Sequence, residues 1–488
     1  MKKISIDPIT RLEGHGKIEI FLNEEGNVAN AYLVIPELRG FEKFAEGRPV
    51  EEMPRITPRI CGVCPEAHHM ASAKACDAVY HVEPPPTGKK LRELLYSAFY
   101  VADHSLHFYI LAAPDFILGP DAPPAERNIL GVIHKIGVEL GSKIIRWHAL
   151  GMEIVGMLGG KTIHPVGALP GGVSKAINEE EREQIEKWGY ELVEFGQFGL
   201  DLFNETVLKN QDYLDMILSD AFTTPMYYMG LVDENNKVNF YDGKVRVVDP
   251  DGQEFVKYAP DEYVDVLAER VEPWTYLKFP YLKKVGWKGL VTGKDSGVYQ
   301  ATPLSRLNAA DGMATIWAQE AYEKFYETMG GKPVHNTLAT HWARLVELLY
   351  AAERIVELAT DPEITDPHVR TIPTETPDEG VGIVEAPRGT LTHHYITDER
   401  GIVQKCNLIV GTTNNYAPMS ISIKKAAQEV IRNGIVTGGL LNRVEMAFRA
   451  YDPCMACATH TLPGQMPLEV LVRDADGDIV ERLTRHVE

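Results

Sequence analysis

The 488-residue chain has no long apolar run, few cysteines and a deficit of basic side chains. No uninterrupted stretch of about 18 apolar residues occurs, which predicts the absence of a membrane-spanning helix. Residues 1–17 lack the apolar core of a secretory signal peptide. The net charge of −20 repels nucleic acid and anionic membranes. Six cysteines in a chain of this length are too few for a disulfide framework.

Apolar residues make up 44% of the chain and charged residues 24%, which is typical of a globular protein. Long helical patterns alternate with short groups of antiparallel strands. They predict an α+β fold with a multihelical central bundle and peripheral strand groups, not a doubly wound sheet. At roughly 150 residues per domain the chain should hold about three domains. We divide it into an N-terminal strand pair with a first cysteine motif (1–83), a helical bundle (84–225), a β-rich insertion (226–300), a helical and strand region with a second cysteine motif (301–460) and a tail (461–488).

Four of the six cysteines form two C-x-x-C pairs. Cys61 and Cys64 lie in RICGVCPEAHH, and Cys454 and Cys457 lie in DPCMACATH. Four thiolates are a soft donor set that suits zinc, iron–sulfur clusters or nickel. A structural zinc site is the simplest interpretation. However, compact zinc modules keep their pairs within about 15–20 residues, whereas these pairs lie far apart. Spacing alone therefore leaves zinc and the other thiolate-bound metals open.

The residues that flank the cysteines narrow the choice. The patterns R-x-C-G-x-C-x-x-x-H and D-P-C-x-x-C-x-x-H resemble the two signature motifs of the large subunit of nickel–iron ([NiFe]) hydrogenases. The resemblance extends over essentially the whole chain, through RLEGH, RGFEKFAEGR, DHSLHFY, HPVGALPGG, PLSRLN and EAPRGTLTHH. The segments APDFILGPDA and GIVEAPRGTLTHHY are most similar to the cytoplasmic methyl-viologen-reducing type, which feeds heterodisulfide reductase in methanogens.

This resemblance implies a nickel held by all four motif cysteines, with Cys64 and Cys457 bridging to an iron that carries carbon monoxide and cyanide. It implies reversible cleavage of dihydrogen into protons and electrons. Because dihydrogen is nonpolar, its heterolysis needs a strong Lewis acid and a nearby base. Metal ions supply the first, and a thiolate bound to one metal only, such as Cys454, can act as the second.

Several charged and polar residues match positions that surround this centre in the family. Arg388 would lie over the metals as an acid–base or orienting group, held by Asp103 and Asp452. Glu13 would pass protons outward, because burial raises the pKa of a carboxyl toward neutrality; without the resemblance it would be an ordinary ion-pair residue. His68 would donate to a bridging sulfur.

Further matches concern the iron ligands and a second metal. Three residues match cofactor-binding positions around the iron and its diatomic ligands: Pro387, Val410 and Thr412. The Thr412 hydroxyl would donate to a cyanide, although Gly411 stands where the family usually has proline. Glu42 and His460 match the ligands of a magnesium or iron ion. His393 and His394 are adjacent on a predicted strand and should point apart, so at most one should lie near the site.

The remaining cysteines, Cys76 and Cys406, cannot hold a four-iron cluster. Electrons would therefore leave through an iron–sulfur small subunit, and further subunits with flavin or iron–sulfur groups would follow it. No G-x-G-x-x-G motif occurs, so no nicotinamide or flavin site is expected in this chain. The subgroup resemblance indicates a cytoplasmic location.

Two other functions are weighed against the enzyme. The quinone-site subunit of respiratory complex I shares the family fold but lacks the four cysteines, and a structural zinc protein would leave the surrounding motifs unexplained. The four cysteines together with Arg388 and Glu13 favour the enzyme. The residues after His460 alternate around DADGD and predict a hairpin. Many family members lose such a tail to a dedicated protease, so the tail is either removed or retained in this type.

Overall fold

The structure is a computed structural model that describes residues 2–35, 39–272, 275 and 277–458, and the backbone of residues 468–473 and 479–485. Sixteen α-helices and sixteen strands lie within these residues, with short 3₁₀ and π segments between them. The predicted α+β architecture, helical at its centre with several small sheets around it, is confirmed. In this described part of the chain, no helix has both the length and the apolarity that crossing a membrane requires.

The helices α1–α16 span, in chain order, Phe41–Ala45, Met53–Ile56, Pro65–Val79, Pro86–Ser105, Ala113–Ile117, Ile129–Ile136, Val138–Gly159, Glu179–Phe203, Gln211–Leu218, Tyr263–Val266, Pro303–Ala309, Ile316–Met329, Thr340–Ala359, Tyr416–Val430, Gly438–Arg449 and Met455–Ala458. The strands β1–β16 span Lys2–Ile6, Lys17–Leu22, Val28–Val34, Ala168–Leu169, Gly172–Val173, Tyr227–Val232, Lys244–Val248, Glu254–Tyr258, Leu267–Val271, Lys278–Leu282, Tyr299–Gln300, Glu379–Ala386, Gly389–Thr397, Val403–Ile409, Leu468–Arg473 and Ile479–Arg485.

The strands form small sheets, and most neighbours are antiparallel. The order is β1-β2-β3 in the first sheet, β11-β6-β7-β8 in the second and β12-β13-β14 in the third, and the remaining strands pair two by two. Of the described strands, only β11 runs parallel to its neighbour, β6. In the third sheet Ala386 pairs with Gly389, which leaves only Pro387 and Arg388 to form the turn between β12 and β13.

Helix α13 is the centre of the helical part. It packs against α8, α4, α12 and α11. Nearly every residue from Thr340 to Ala359 is buried, including charged ones such as Arg344 and Glu347. A helix that is buried on all sides must satisfy its polar side chains internally, so charged residues on α13 indicate a polar network inside the bundle.

Two predicted helices begin or divide where local chemistry requires it. The pattern over 133–158 predicts one helix, but the chain forms α6 and α7, separated at Gly137 with φ +93°. The apolar spacing over 174–217 predicts a helix, but the chain forms α8 and α9, and α8 begins only at Glu179, where Asn178 and Glu181 form a capping box. The predicted pairing in the tail is present, since β15 and β16 run antiparallel.

Helix α3, which begins directly after Cys64, lies on strands β12 and β13 at unusually short range. Two strand glycines allow this approach. A Cβ atom on Gly382 would lie 2.2 Å from the Ala71 carbonyl oxygen and 2.3 Å from the Ala75 nitrogen, and one on Gly380 would meet Val79 in the same way. The glycines thereby set the height of α3, and of the cysteine at its N-terminus, above the sheet.

We predict that Gly382→Ala destabilises the protein, because helix and strand backbones must separate to admit the methyl group. Overpacking of this kind costs about 1–3 kcal/mol, and a lower thermal unfolding midpoint would report it. Gly438→Ala is the matched control, since a Cβ there has no neighbour within 4 Å. An unchanged midpoint for Gly382→Ala would contradict the close-approach argument.

Candidate metal centre

The two cysteine pairs lie at the beginnings of two helices from opposite ends of the sequence. Cys61 follows the 3₁₀ turn Thr57–Ile60, and Cys64 precedes Pro65, the first residue of α3. Cys454 directly precedes α16, and Cys457 lies within it. Proline suits the first position of a helix because its missing N–H would have no partner there. The helix start therefore fixes Cys64 just outside the first turn.

The four sulfur atoms converge on one point in the interior. The Sγ atoms of Cys61 and Cys454 are 3.3 Å apart, those of Cys64 and Cys457 are 3.4 Å apart, and those of Cys454 and Cys457 are 2.9 Å apart. All four lie within 4.8 Å of one another, and all are buried. None takes part in a disulfide. Together they form a compact, all-sulfur pocket for a cation.

The chemistry of this pocket fits a bound metal. Metal–thiolate bonds of about 2.3 Å place neighbouring sulfurs on one ion roughly 3.3–3.8 Å apart, close to the separations between the two pairs. Burial raises the pKa of the Cys454 and Cys457 thiols well above the ordinary value. Four thiolates gathered without a cation would repel one another at low dielectric. A soft metal ion removes that cost and suits these donors.

Glu13 connects the second cysteine pair to the N-terminal part of the chain. Its backbone forms a parallel bridge with Cys454, and its carbonyl oxygen accepts from the Met455 amide at 3.0 Å. Its Oε2 atom accepts from the Cys454 thiol at 3.0 Å and from the Ala456 amide at 3.1 Å. The side chain is half-buried. Burial raises the pKa of the carboxyl, so a proton binds there more readily than on an exposed glutamate.

Arg388 occupies the two-residue turn between β12 and β13 and is 3% exposed. Its Nη1 donates to Asp103 Oδ2 at 3.0 Å, and its Nη2 lies 3.0 Å from Asp452 Oδ2. Asp103 comes from α4 and Asp452 from the second cysteine motif. The two carboxylates hold the guanidinium from both sides, and a guanidinium so enclosed stays charged.

The three predicted iron-side residues are buried together. The Thr412 hydroxyl oxygen accepts from the Cys454 amide at 3.1 Å, so its own proton remains available to donate. The Val410 carbonyl oxygen accepts from the Asn414 amide at 3.3 Å. Pro387 belongs to the Arg388 turn, and its carbonyl oxygen accepts from Arg306.

The histidines separate as strand geometry requires. His68 Nδ1 lies 3.1 Å from His393 Nε2, and His393 Nδ1 lies 2.7 Å from the Tyr395 hydroxyl. His394 faces the other way and contacts the Tyr263 hydroxyl. His69 bridges the Pro54 carbonyl and the Ala168 amide, and burial lowers its pKa to about 4, so it is neutral.

Glu42 lies at a second position, beside β14. It is 8% exposed. Its Oε1 accepts from the Leu408 amide at 2.8 Å, and its Oε2 lies 3.6 Å from Lys278 Nζ. His460, its predicted partner, lies outside the described residues.

Sequence reasoning passed over three residues at the site. Glu66, the second residue of α3, is 1% exposed, its Oε1 has no hydrogen-bond partner among the described residues, and burial raises its pKa well above the ordinary value. His164 Nε2 contacts the Cys61 carbonyl at 3.0 Å. Arg306 contacts the Arg388 turn. All three residues stand inside segments that carry the resemblance, but nothing in the spacing of their neighbours reveals these contacts.

Comparison with known proteins gives a consistent result. The family described as "Nickel-dependent hydrogenase" matches residues 39–128 and 191–460, and a family described as "HoxL-like" matches residues 3–38. An F420-non-reducing hydrogenase iron-sulfur subunit from Archaeoglobus profundus is 51% identical, over 99% of this chain and 99% of its own. An F420-non-reducing hydrogenase subunit from Methanothermobacter thermautotrophicus is 41% identical, over 99% and 100%.

The fold agrees with these matches. The structure of an NAD+-reducing [NiFe]-hydrogenase in its H2-reduced state superposes with a TM-score of 0.87 at 37% identity, covering 94% of this chain and 100% of that one. The resemblance inferred from the motifs is confirmed, including the methyl-viologen-reducing type, since these relatives are named as F420-non-reducing hydrogenases. The four-sulfur pocket thus corresponds to a nickel–iron centre. The chain belongs to the nickel-dependent hydrogenase family, as a catalytic large subunit that cleaves dihydrogen.

Proposed function

We propose that Cys61, Cys64, Cys454 and Cys457 hold the nickel–iron centre and that Cys454 and Glu13 carry the first proton away from it. The observation that carries this proposal is the 3.0 Å contact between Cys454 Sγ and Glu13 Oε2. The resemblance implies that Cys64 and Cys457 would be the two cysteines that hold both the nickel and the iron.

When bound, the nickel–iron centre supplies the Lewis acid that polarises dihydrogen and accepts its electron pair. The Cys454 sulfur takes the proton. Glu13 Oε2 receives it next, because Oε2 lies 3.0 Å from that sulfur and burial raises the pKa of the carboxyl, which makes it a better proton acceptor than an exposed glutamate. Cys454 is fully buried and Glu13 is only half-buried, so this step moves the proton toward the surface.

We propose that Arg388 orients dihydrogen and stabilises negative charge on the sulfurs. Its contacts with Asp103 and Asp452 leave it little freedom to move. A fixed cation in a buried site needs no reorganisation when charge changes during the reaction. His68 lies one helical turn after Cys64, and in this proposal it donates to that bridging sulfur.

We propose that the iron carries carbon monoxide and cyanide, as the resemblance implies. Support comes from the free hydroxyl proton of Thr412 and from the buried, apolar side chains of Pro387 and Val410. A hydroxyl suits the nitrogen of a cyanide, whereas carbon monoxide is poorly hydrogen-bonded and fits apolar surroundings.

A magnesium or iron ion between Glu42 and His460 is a further part of the proposal. Its support is a carboxylate that is almost fully enclosed. Carboxylate oxygens are ligands for either ion.

The electrons need a route out of this chain. We propose that they pass to an iron–sulfur small subunit and from there to further subunits that carry flavin or iron–sulfur groups. We propose a cytoplasmic location for this complex. Between the buried Cys61 and Cys64, Gly62 is exposed and Val63 is half-buried. This loop therefore joins the metal pocket to the surface, and in the proposal a partner's cluster approaches there. Relatives named as hydrogenase subunits support a multi-subunit assembly.

We predict infrared bands from carbon monoxide and cyanide in the mature, nickel-containing complex, and shifts of these bands under dihydrogen. Almost no other protein group absorbs in that region. Cys457→Ser should abolish the bands, because it removes a bridging sulfur, whereas Cys406→Ser should keep them. A nickel-replete wild-type sample without such bands would refute the proposed iron ligands.

We predict that Glu13→Gln slows dihydrogen oxidation by about 10²-fold or more, the usual effect of losing a proton-transfer group. Glutamine keeps the shape of the side chain but cannot carry the proton. Nickel content and infrared bands should be unchanged. Glu19→Gln, on the nearby strand β2, is the control and should retain activity. Full turnover by Glu13→Gln would remove Glu13 from the proton path.

We predict that Arg388→Lys lowers kcat by about 10²-fold while nickel content stays the same. Lysine keeps the charge but lacks the planar fork that contacts Asp103 and Asp452 together. The assay is dihydrogen oxidation with an artificial electron acceptor, normalised to nickel. Wild-type kcat in the lysine variant would show that the guanidinium has no role in the reaction.

A further inference from the structure

A second group of charged side chains lies in the core behind Arg388, and the mechanism above does not use it. Arg306 on α11, Glu347 on α13 and Glu385 on β12 are each 0% exposed, as is His104 on α4. Burying such groups costs free energy even when they are paired, and apolar replacements of similar volume are often at least as stable. Their presence therefore calls for an explanation other than stability.

Every N–H group of Arg306 is used. The guanidinium binds Glu347 through two parallel hydrogen bonds of 2.6 and 2.7 Å, and Nη1 donates to Glu385 Oε2 at 3.1 Å. Its two remaining hydrogens go to backbone carbonyl oxygens, those of Ala386 and Pro387, both at 2.9 Å. The carboxylates thus fix the guanidinium in place, and the guanidinium fixes the backbone.

These two carbonyls belong to the residues immediately before Arg388. The Arg388 carbonyl itself accepts from Asn415 Nδ2 at 2.8 Å. The turn that carries Arg388 is therefore held by donors at three successive peptide groups. The turn itself consists of Pro387 and Arg388, which follow the last strand pair, Ala386–Gly389.

The buried group around Arg306 also contacts helix α4, which carries Asp103, a carboxylate partner of Arg388. Glu347 Oε2 lies 2.8 Å from His104 Nε2. His104 follows Asp103 on α4, and Asp103 contacts Arg388. The Arg306–Glu347 pair consequently connects the backbone behind Arg388 to the helix that carries its carboxylate partner.

We propose that Arg306 is a positioning residue for dihydrogen cleavage: through Glu347 and the carbonyls of Ala386 and Pro387, it sets the position of Arg388 over the metal-binding sulfurs. This inference rests on the proposed function of Arg388. A purely structural Arg306 would affect folding and metal uptake, whereas a positioning Arg306 acts on turnover and only through Arg388. Displacement of a catalytic group by about 1 Å can cost 10²-fold in rate.

The test is a double-mutant cycle in the mature complex, with Arg306→Lys, Arg388→Lys and the double variant, each normalised to bound nickel. We expect Arg306→Lys to lower kcat by about 10- to 100-fold with little change in KM for dihydrogen. In the Arg388→Lys background the same change should cost less than about threefold, because residues that act through one group are not additive.

Arg92→Lys is the matched control. Arg92 is equally buried, binds Asp77 and donates to the carbonyls of Leu169 and Gly172, but it makes no contact with the Arg388 turn. It should leave kcat per nickel unchanged. If Arg92→Lys and Arg306→Lys lowered kcat per nickel equally, the loss would reflect only the replacement of a buried arginine, and the proposal would be overturned.

The outcomes separate the inference from the proposal beneath it. Wild-type kcat in Arg388→Lys would refute the role of Arg388 itself. A slow Arg388→Lys with a fully active Arg306→Lys, or with additive losses, would refute only the positioning role. If Arg306→Lys binds no nickel, Glu347→Gln enters the same cycle, because it weakens the guanidinium anchor and keeps Arg306. If neither Arg306→Lys nor Glu347→Gln binds nickel, the Arg306–Glu347 pair serves folding, and the inference is overturned.

Discussion

The metal centre depends on holding the two ends of the described chain against each other. The backbone bridge between Glu13 and Cys454 is the direct contact, and a buried ion network lies next to it. Asp115 accepts from Arg11 at 2.5 Å and from Arg449 at 2.7 Å, and Glu445 accepts from Arg449 and from the Thr10 hydroxyl, each at 2.7 Å. These contacts hold the second cysteine pair against the N-terminal segment that carries Glu13.

Charge placement around the sulfurs follows from the same requirement. The Arg388 guanidinium lies between Asp103 and Asp452, and a metal ion bound by the four sulfurs would compensate the negative charge of thiolates. Low dielectric makes each of these charges costly when unpaired and effective when correctly placed. The centre is therefore built from groups that are individually unfavourable and jointly stable.

Part of this arrangement can be read from the sequence. The C-x-x-C spacing and the residues that flank each pair identify the ligands, and the alternation of a strand separates His393 from His394. Tertiary contacts are less accessible. Nothing in PLSRLN indicates that Arg306 donates to the carbonyls of Ala386 and Pro387. Among the described residues, Glu66 Oε1 has no hydrogen-bond partner, and this depends on how α3 packs. The break at Gly137 escapes a periodicity argument, because the apolar pattern continues through it.

The order of the cysteine pairs along the chain has a consequence for synthesis. At about 5–20 residues per second, roughly 20–80 s pass between translation of Cys64 and of Cys454. During that interval the first two thiols exist without the sulfurs that later enclose them. A ribosome-bound chain therefore carries half of the four-cysteine set during that interval, and the metal pocket can close only after the second motif has been made.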